Sequence, residues 1–196
     1  MNMKKEIKKM GNYPNAGAGL KKMFIAEVGT IICAVLMIIP IVNILAAIGA
    51  LVFLIISMVG LYGAGKDIAG CKTAFTITII SMVVSIVGAF FKTGFLNALF
   101  TIASAVLSLL VVYYVCTSVA EVMNQIGAAD VAQKGLTVWK INLVCTIISV
   151  VATLIALIPL IGAVGTVINV VIAIVEVVAG ILYMIFLNKS YQALGA

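Results

Sequence analysis

Apolar side chains recur along this chain in six long runs, at about 24–39, 43–62, 74–90, 95–116, 141–158 and 162–187, separated by short segments carrying Pro, Gly, Lys or Asn. A helix rises about 1.5 Å per residue, so roughly 20 apolar residues cross about 30 Å of hydrocarbon. At that depth no water is available to bond free N–H and C=O groups. Runs of this length must therefore be helices, whatever their Val and Ile content. The pattern predicts an all-α integral membrane protein with six transmembrane helices: a membrane domain over 23–196 preceded by a basic tail over 1–22.

Composition supports a lipid-facing surface. Hydrophobic residues make up 65% of the chain and charged residues 9%, and the mean hydropathy is +1.34. Eighteen charged side chains, 12 basic and 6 acidic, do not coat a soluble domain of 196 residues. All the basic residues are lysines, and in a six-span arrangement every one except Lys92 falls on the same side. By the positive-inside rule both termini are expected in the cytosol, with the protein in a cell inner (plasma) membrane. The net charge of +6 is then a topology signal that also suits anionic lipid headgroups, and nucleic acid is not an expected partner. The 1–22 tail is too polar for a signal peptide, and its 12–19 stretch, with Pro14, Ala16, Gly17 and Ala18, reads as flexible.

Aligning the outward turns at Pro40, Phe91 and Pro159 reveals an internal repeat of three helical hairpins, about 20–66, 70–121 and 134–190. Thirteen residues before these anchors stand Glu27, Thr78 and Thr146; ten before stand Thr30, Ser81 and Ser149; seventeen after stand Ser57, Ser108 and Glu176. Offsets of thirteen and ten share a helical face. On both arms the distance to the turn is roughly 15 to 21 Å, so these polar residues are expected at one depth.

Two readings of this layer stand side by side. Ser and Thr let membrane helices approach closely and bond back to carbonyls of their own helix. Pairs such as Ala46 with Ala50, Ser104 with Ser108, and Ala152 with Ala156 fit the same packing account and suggest self-association. The functional reading rests on Glu176, well inside the sixth run, because a carboxylate at the bilayer centre costs about 2.5–3.5 kcal/mol and must face protein or water, or be protonated. Glu27, only a few residues into the first run, either joins the layer or reaches the cytosolic interface. Asn142 and Asn169 also lie within runs.

Other chemistry is thinly represented. The chain has no histidine, no paired aspartates in facing spans and no nucleophile elbow, so an enzyme is not expected, nor is a cofactor or bound metal. Cys33, Cys71, Cys116 and Cys145 imply no disulfide framework. Gly60-Leu-Tyr-Gly-Ala-Gly-Lys66 matches part of a phosphate-binding loop. Asp67, however, stands where Ser or Thr would hold magnesium, and a helical run precedes it in place of a strand. A glycine helix terminus with Lys66 beside the last carbonyls is the better reading. In the 117–139 connector, Val119, Val122, Met123 and Ile126 make an apolar stripe. This predicts a short amphipathic helix along the membrane surface or docking a partner, broken at Gly127. Trp139 and Lys140 read as interface anchors.

The tail Asn12-Tyr-Pro-Asn-Ala-Gly-Ala-Gly-Leu-Lys-Lys22 and the hairpins resemble small polytopic, about six-span, membrane proteins of bacteria, a group that carries no function or site residues across. The expected function is a non-enzymatic structural, assembly or partner-binding role in the bilayer, as a homo-oligomer or with a membrane-protein partner. The alternative is a small channel or transporter for a proton, cation or small polar solute, using the layer around Glu176.

Overall fold

The structure, a computed structural model, describes residues 13–37, 39–91, 94–156 and 162–195, with side chains throughout except from 156 to 176. The described residues form six helices: α1 Pro14–Leu36, α2 Asn43–Ala64, α3 Ala69–Gly88, α4 Gly94–Ile126, α5 Ala129–Ala156 and α6 Gly162–Ala193. Among the described residues four stretches, Asn43–Ala64, Ala69–Gly88, Gly94–Ile126 and Ala129–Ile155, are long and apolar enough to cross a membrane.

Each helix packs on the next, and α6 returns to α1, so the six close into a ring. Neighbours run antiparallel. Gly19 early in α1 meets Gly60 and Ala64 late in α2, while Gly29 meets the Phe53 ring. Between α3 and α4, Gly70 faces Ser118 and Gly88 faces Phe100. Trp139 of α5 stands edge-on to Tyr113 of α4, and Phe24 of α1 lies against Tyr191 of α6. The turns α2–α3 and α4–α5, the start of α1 and the end of α6 thus share one end of the ring. Every lysine among the described residues, namely Lys21, Lys22, Lys66, Lys72, Lys134, Lys140 and Lys189, belongs to that end.

The hydrophobic core sits at the same end. Leu20, Met23, Leu61, Cys71, Val115, Cys116, Val119, Met123, Phe186 and Leu187 are all no more than 2% exposed and form one cluster across the ring. Toward the far end the aliphatic side chains face outward, with Ile41 94%, Phe90 80% and Ile44 74% exposed. Contiguous apolar surface of this extent is unsuited to water and is what lipid tails solvate.

Two segments differ from the sequence expectation. The described part of the stretch read as flexible, 13–19, is not a loose tail, because α1 starts at Pro14 and buries Ala16, Gly17, Gly19 and Leu20. Pro14 supplies the fixed φ favoured in a first turn, and Tyr13 makes no side-chain cap. The cap comes from the α2–α3 turn. Asp67 Oδ2 accepts from the backbone N–H groups of Asn15 at 2.7 Å and Ala16 at 2.9 Å, and Asn15 Nδ2 donates to Oδ1 at 3.0 Å. A carboxylate at that position satisfies orphan donors and complements the positive end of the helix dipole.

The 117–139 connector holds no separate surface helix. α4 runs unbroken for 33 residues to Ile126, about 50 Å, and α5 resumes at Ala129. Gly127, at φ +90°, closes α4, with Ala128 N–H donating to Met123 O at 2.8 Å and Gly127 N–H to Asn124 O at 3.2 Å. The stripe expected on the membrane surface packs into the core instead: Val119, Val122 and Met123 are buried and Ile126 is half-buried. Tyr13 Oη reaches Gln125 Oε1 at 2.6 Å, tying the start of α1 to this extension. Gly65 caps the end of α2, as the glycine helix terminus expected there, with a right-handed φ of −64°. Its role is proximity, since a Cβ there would stand 2.9 Å from the Lys72 backbone.

Asp67→Ala is expected to cost about 1 kcal/mol through loss of the cap. Gly60→Leu should cost more, because its side chain has no room against Gly19 and Met23. Thermal unfolding followed by a thiol-reactive dye at the buried Cys71 and Cys116 checks both. Unchanged midpoints would deny these contacts a role in stability.

Candidate functional site

Within the ring, helical spacing brings a set of polar side chains inward. On α1 the face runs through Met23, Ala26, Glu27 and Thr30; on α5 through Asn142, Cys145, Thr146 and Ser149. Thr78, Ser81, Met82 and Ser85 do the same on α3, and Ala105, Ser108, Val111 and Val112 on α4. Each set steps by three or four residues, the repeat that keeps one helix face toward a neighbour.

Three adjacent cavities lie along these faces, and Glu27 lines all of them. The first, about 280 Å³, is bounded by Glu27, Ser108, Asn142, Thr146, Ser149 and Tyr183, with Ala179 and Gly180 of α6. The second, about 340 Å³, lies toward α2 and α3 and is bounded by Glu27, Ser57, Thr78, Ser81, Ser85, Ser108 and Tyr183. The third, about 570 Å³, lies between α1 and α2 and includes Glu27, Thr30 and Ser57. The first two are together lined by all six helices.

Tyr183, Met23 and Leu61 belong both to this lining and to the core, so packed side chains floor the chamber at the lysine-bearing end.

Eight positions of the sequence-derived layer, Glu27, Thr30, Ser57, Thr78, Ser81, Ser108, Thr146 and Ser149, line one or more of these cavities. Thr78 bonds back to Ala74 O at 2.9 Å, and Asn142 Nδ2 to Val138 O at 3.0 Å. The described residues offer no hydrogen bond or ion pair to the Glu27 carboxylate. They also contain no buried side-chain polar atom lacking a partner, so the Glu27 oxygens open onto the cavities. Glu176, Asn169 and the Pro159 turn lie outside the residues whose side chains are described. Position 176 stands one turn before 179 and 180 on α6. Trp139 is half-buried against Tyr113, and Lys140 is exposed. Among the described residues no three His, Cys, Asp or Glu side chains gather as a metal site requires.

Tyr183 and Ser85 were absent from the sequence-derived layer. Tyr183 falls seven residues after Glu176, on the same helical face, and that spacing was the available signal. Ser85 Oγ lies 3.4 Å from Ser104 Oγ and links α3 to α4.

Fold and site together define an all-helical, membrane-compatible chain with polar space inside its helix ring. No protein-family model matches the chain, and no curated protein or solved structure is detectably similar to it.

In a cysteine-free background, Ser57→Cys and Thr146→Cys should react with a charged, water-soluble thiol reagent about tenfold faster than the outward-facing Ile55→Cys, because the thiolate forms only where water reaches. Equal rates would mean that the chamber is dry.

Proposed function

We propose that this chain is a six-span protein of a bacterial inner membrane, with both termini cytosolic and three helical hairpins enclosing a binding chamber for a proton, small cation or small polar solute. The chamber serves passage across the membrane without enzymatic chemistry. One observation carries this reading: the Glu27 carboxylate stands where three cavities meet, and no described side chain or backbone group pairs with it. An unpaired carboxylate at membrane depth is expensive and is retained where it meets water, a proton or a cation. The hydroxyls of Ser57, Ser81, Ser108 and Thr146 around it are neutral donors and acceptors that suit a hydrated ion or polar solute. The lysines gathered at one end of the ring support cytosolic termini.

A second reading, a structural or assembly role with self-association or a membrane-protein partner, draws on a different feature. The core at the lysine-bearing end is closely packed, with Gly19 against Gly60 and Gly135 against Phe186, as in helices built to stay together. In that case the polar layer fixes packing.

Proteoliposome flux of protons and monovalent cations separates the two. Glu27→Gln should bring flux to background while the thermal midpoint holds, and Glu176→Gln tests the second carboxylate in the same assay. Unchanged flux with an altered oligomer or a lowered midpoint would leave the structural role.

A further inference from the structure

At the turn between α2 and α3 the chain doubles back tightly, because Gly65 has no side chain to hold off the backbone of Lys72. Lys66 and Lys72, six positions apart, are thereby brought to one cavity of about 260 Å³, with Tyr62, Gly65 and Phe75 as its other walls. The Tyr62 and Phe75 rings pack with centroids 5.6 Å apart, and Lys66 Nζ lies 5.3 Å from the Tyr62 ring centroid.

Neither ammonium has a carboxylate partner among the described residues. The nearest acidic residue in sequence, Asp67, has both oxygens turned to the start of α1. The single ion pair among the described residues joins Lys134 to Asp130. The cavity therefore presents two ammonium groups with no ion-pair partner among the described residues, and the turn, Asp67 included, keeps a net charge of +1.

Its position gives that charge a use. Both helices that meet here are long and apolar enough to cross a membrane, and the turn joining two such spans falls at headgroup level. Below it, Ile55, Val59 and Tyr62 on α2 and Ile79 and Val83 on α3 are exposed along helix faces that lead away from the lysines.

From this juxtaposition we propose that the α2–α3 turn is a binding site for an anionic phospholipid. Lys66 and Lys72 hold its phosphate, the Tyr62–Phe75 pair borders the glycerol region, and the acyl chains follow the outward aliphatic faces of α2 and α3. Two cations against the one carboxylate of Asp67 leave the turn net positive, which favours a headgroup of net negative charge over a zwitterionic one, whose choline offsets the phosphate. The site is independent of Glu27 and of any flux through the chamber.

Native mass spectrometry of the full-length protein in detergent, titrated with phosphatidylglycerol, phosphatidylcholine or inorganic phosphate, tests the assignment. Phosphatidylglycerol should be retained in preference to phosphatidylcholine, and inorganic phosphate should not displace it. Lys66→Gln with Lys72→Gln should weaken retention roughly 30-fold, at about fivefold per lysine. Replacing both by Arg should preserve it, and Lys134→Gln with Lys189→Gln, which removes equal charge elsewhere, should leave it unchanged. Equal loss in that charge-matched control, or equal retention of phosphatidylcholine, would overturn the site. Displacement by inorganic phosphate would overturn the lipid assignment in favour of a free-anion pocket.

Discussion

Gly19 of α1 lies so close to α2 that a Cβ on it would stand 2.5 Å from the Ala64 backbone nitrogen and 2.6 Å from the Gly60 oxygen. No larger residue permits that crossing. It brings Leu20 and Met23 into the core with Leu61, Val115 and Phe186, and so anchors the first arm of the ring to the rest. Lipid supplies no hydrophobic drive to push apolar helices together, so close approach and the dispersion contacts it allows must hold them. Asp67 adds a directed constraint, fixing the first turn of α1 to the α2–α3 turn through bonds to a charged acceptor.

Locking the helices at one end has a consequence at mid-depth. Once the lysine-bearing end is packed, the helices need not fill the space farther along the ring, and small side chains such as Ser57, Ser81 and Ser108 leave it open. The aliphatic residues face outward and the hydroxyls inward, the reverse of a water-soluble bundle with its polar coat. Glu27 is the residue for which this matters most, since a carboxylate facing lipid would carry the full cost of lost hydration. Facing the cavities, it is turned away from the outer surface. The lysine-bearing end uses electrostatics differently. Asp67 is satisfied within the protein, whereas Lys66 and Lys72 are exposed and carry no ion pair among the described residues.

Much of the candidate site was legible in the chain because helices convert spacing into position. Eight of the nine positions named by the offsets of thirteen and ten before a turn and seventeen after it line the cavities, and the ninth, Glu176, lies outside the described side chains. The weighting of the carboxylates was another matter. Sequence favoured Glu176 because it lies deep within an apolar run, while Glu27, only a few residues into the first run, stays open between the layer and the cytosolic interface. The described geometry turns Glu27 inward, a choice made by the crossing of α1 with α2 and its closure against α6. Tyr183 escaped notice because an aromatic in a membrane helix is more often an interface anchor than a cavity wall.

By itself the sequence determined that the chain is helical and apolar enough for a membrane, where its turns fall near Pro40 and Gly127, and which faces carry the hydroxyls. These are local properties, set by backbone hydrogen bonding, residue period and the conformational limits of Pro and Gly. Tertiary structure alone decided that 14–19 is helical, because its cap comes from Asp67, 51 residues beyond Ala16. It likewise turned the Val119–Met123 stripe into core, since an amphipathic helix shows that it has an apolar face and not what covers it. The meeting of three cavities at Glu27 belongs to the same class: it depends on all six helices at once, and no local pattern encodes their closure.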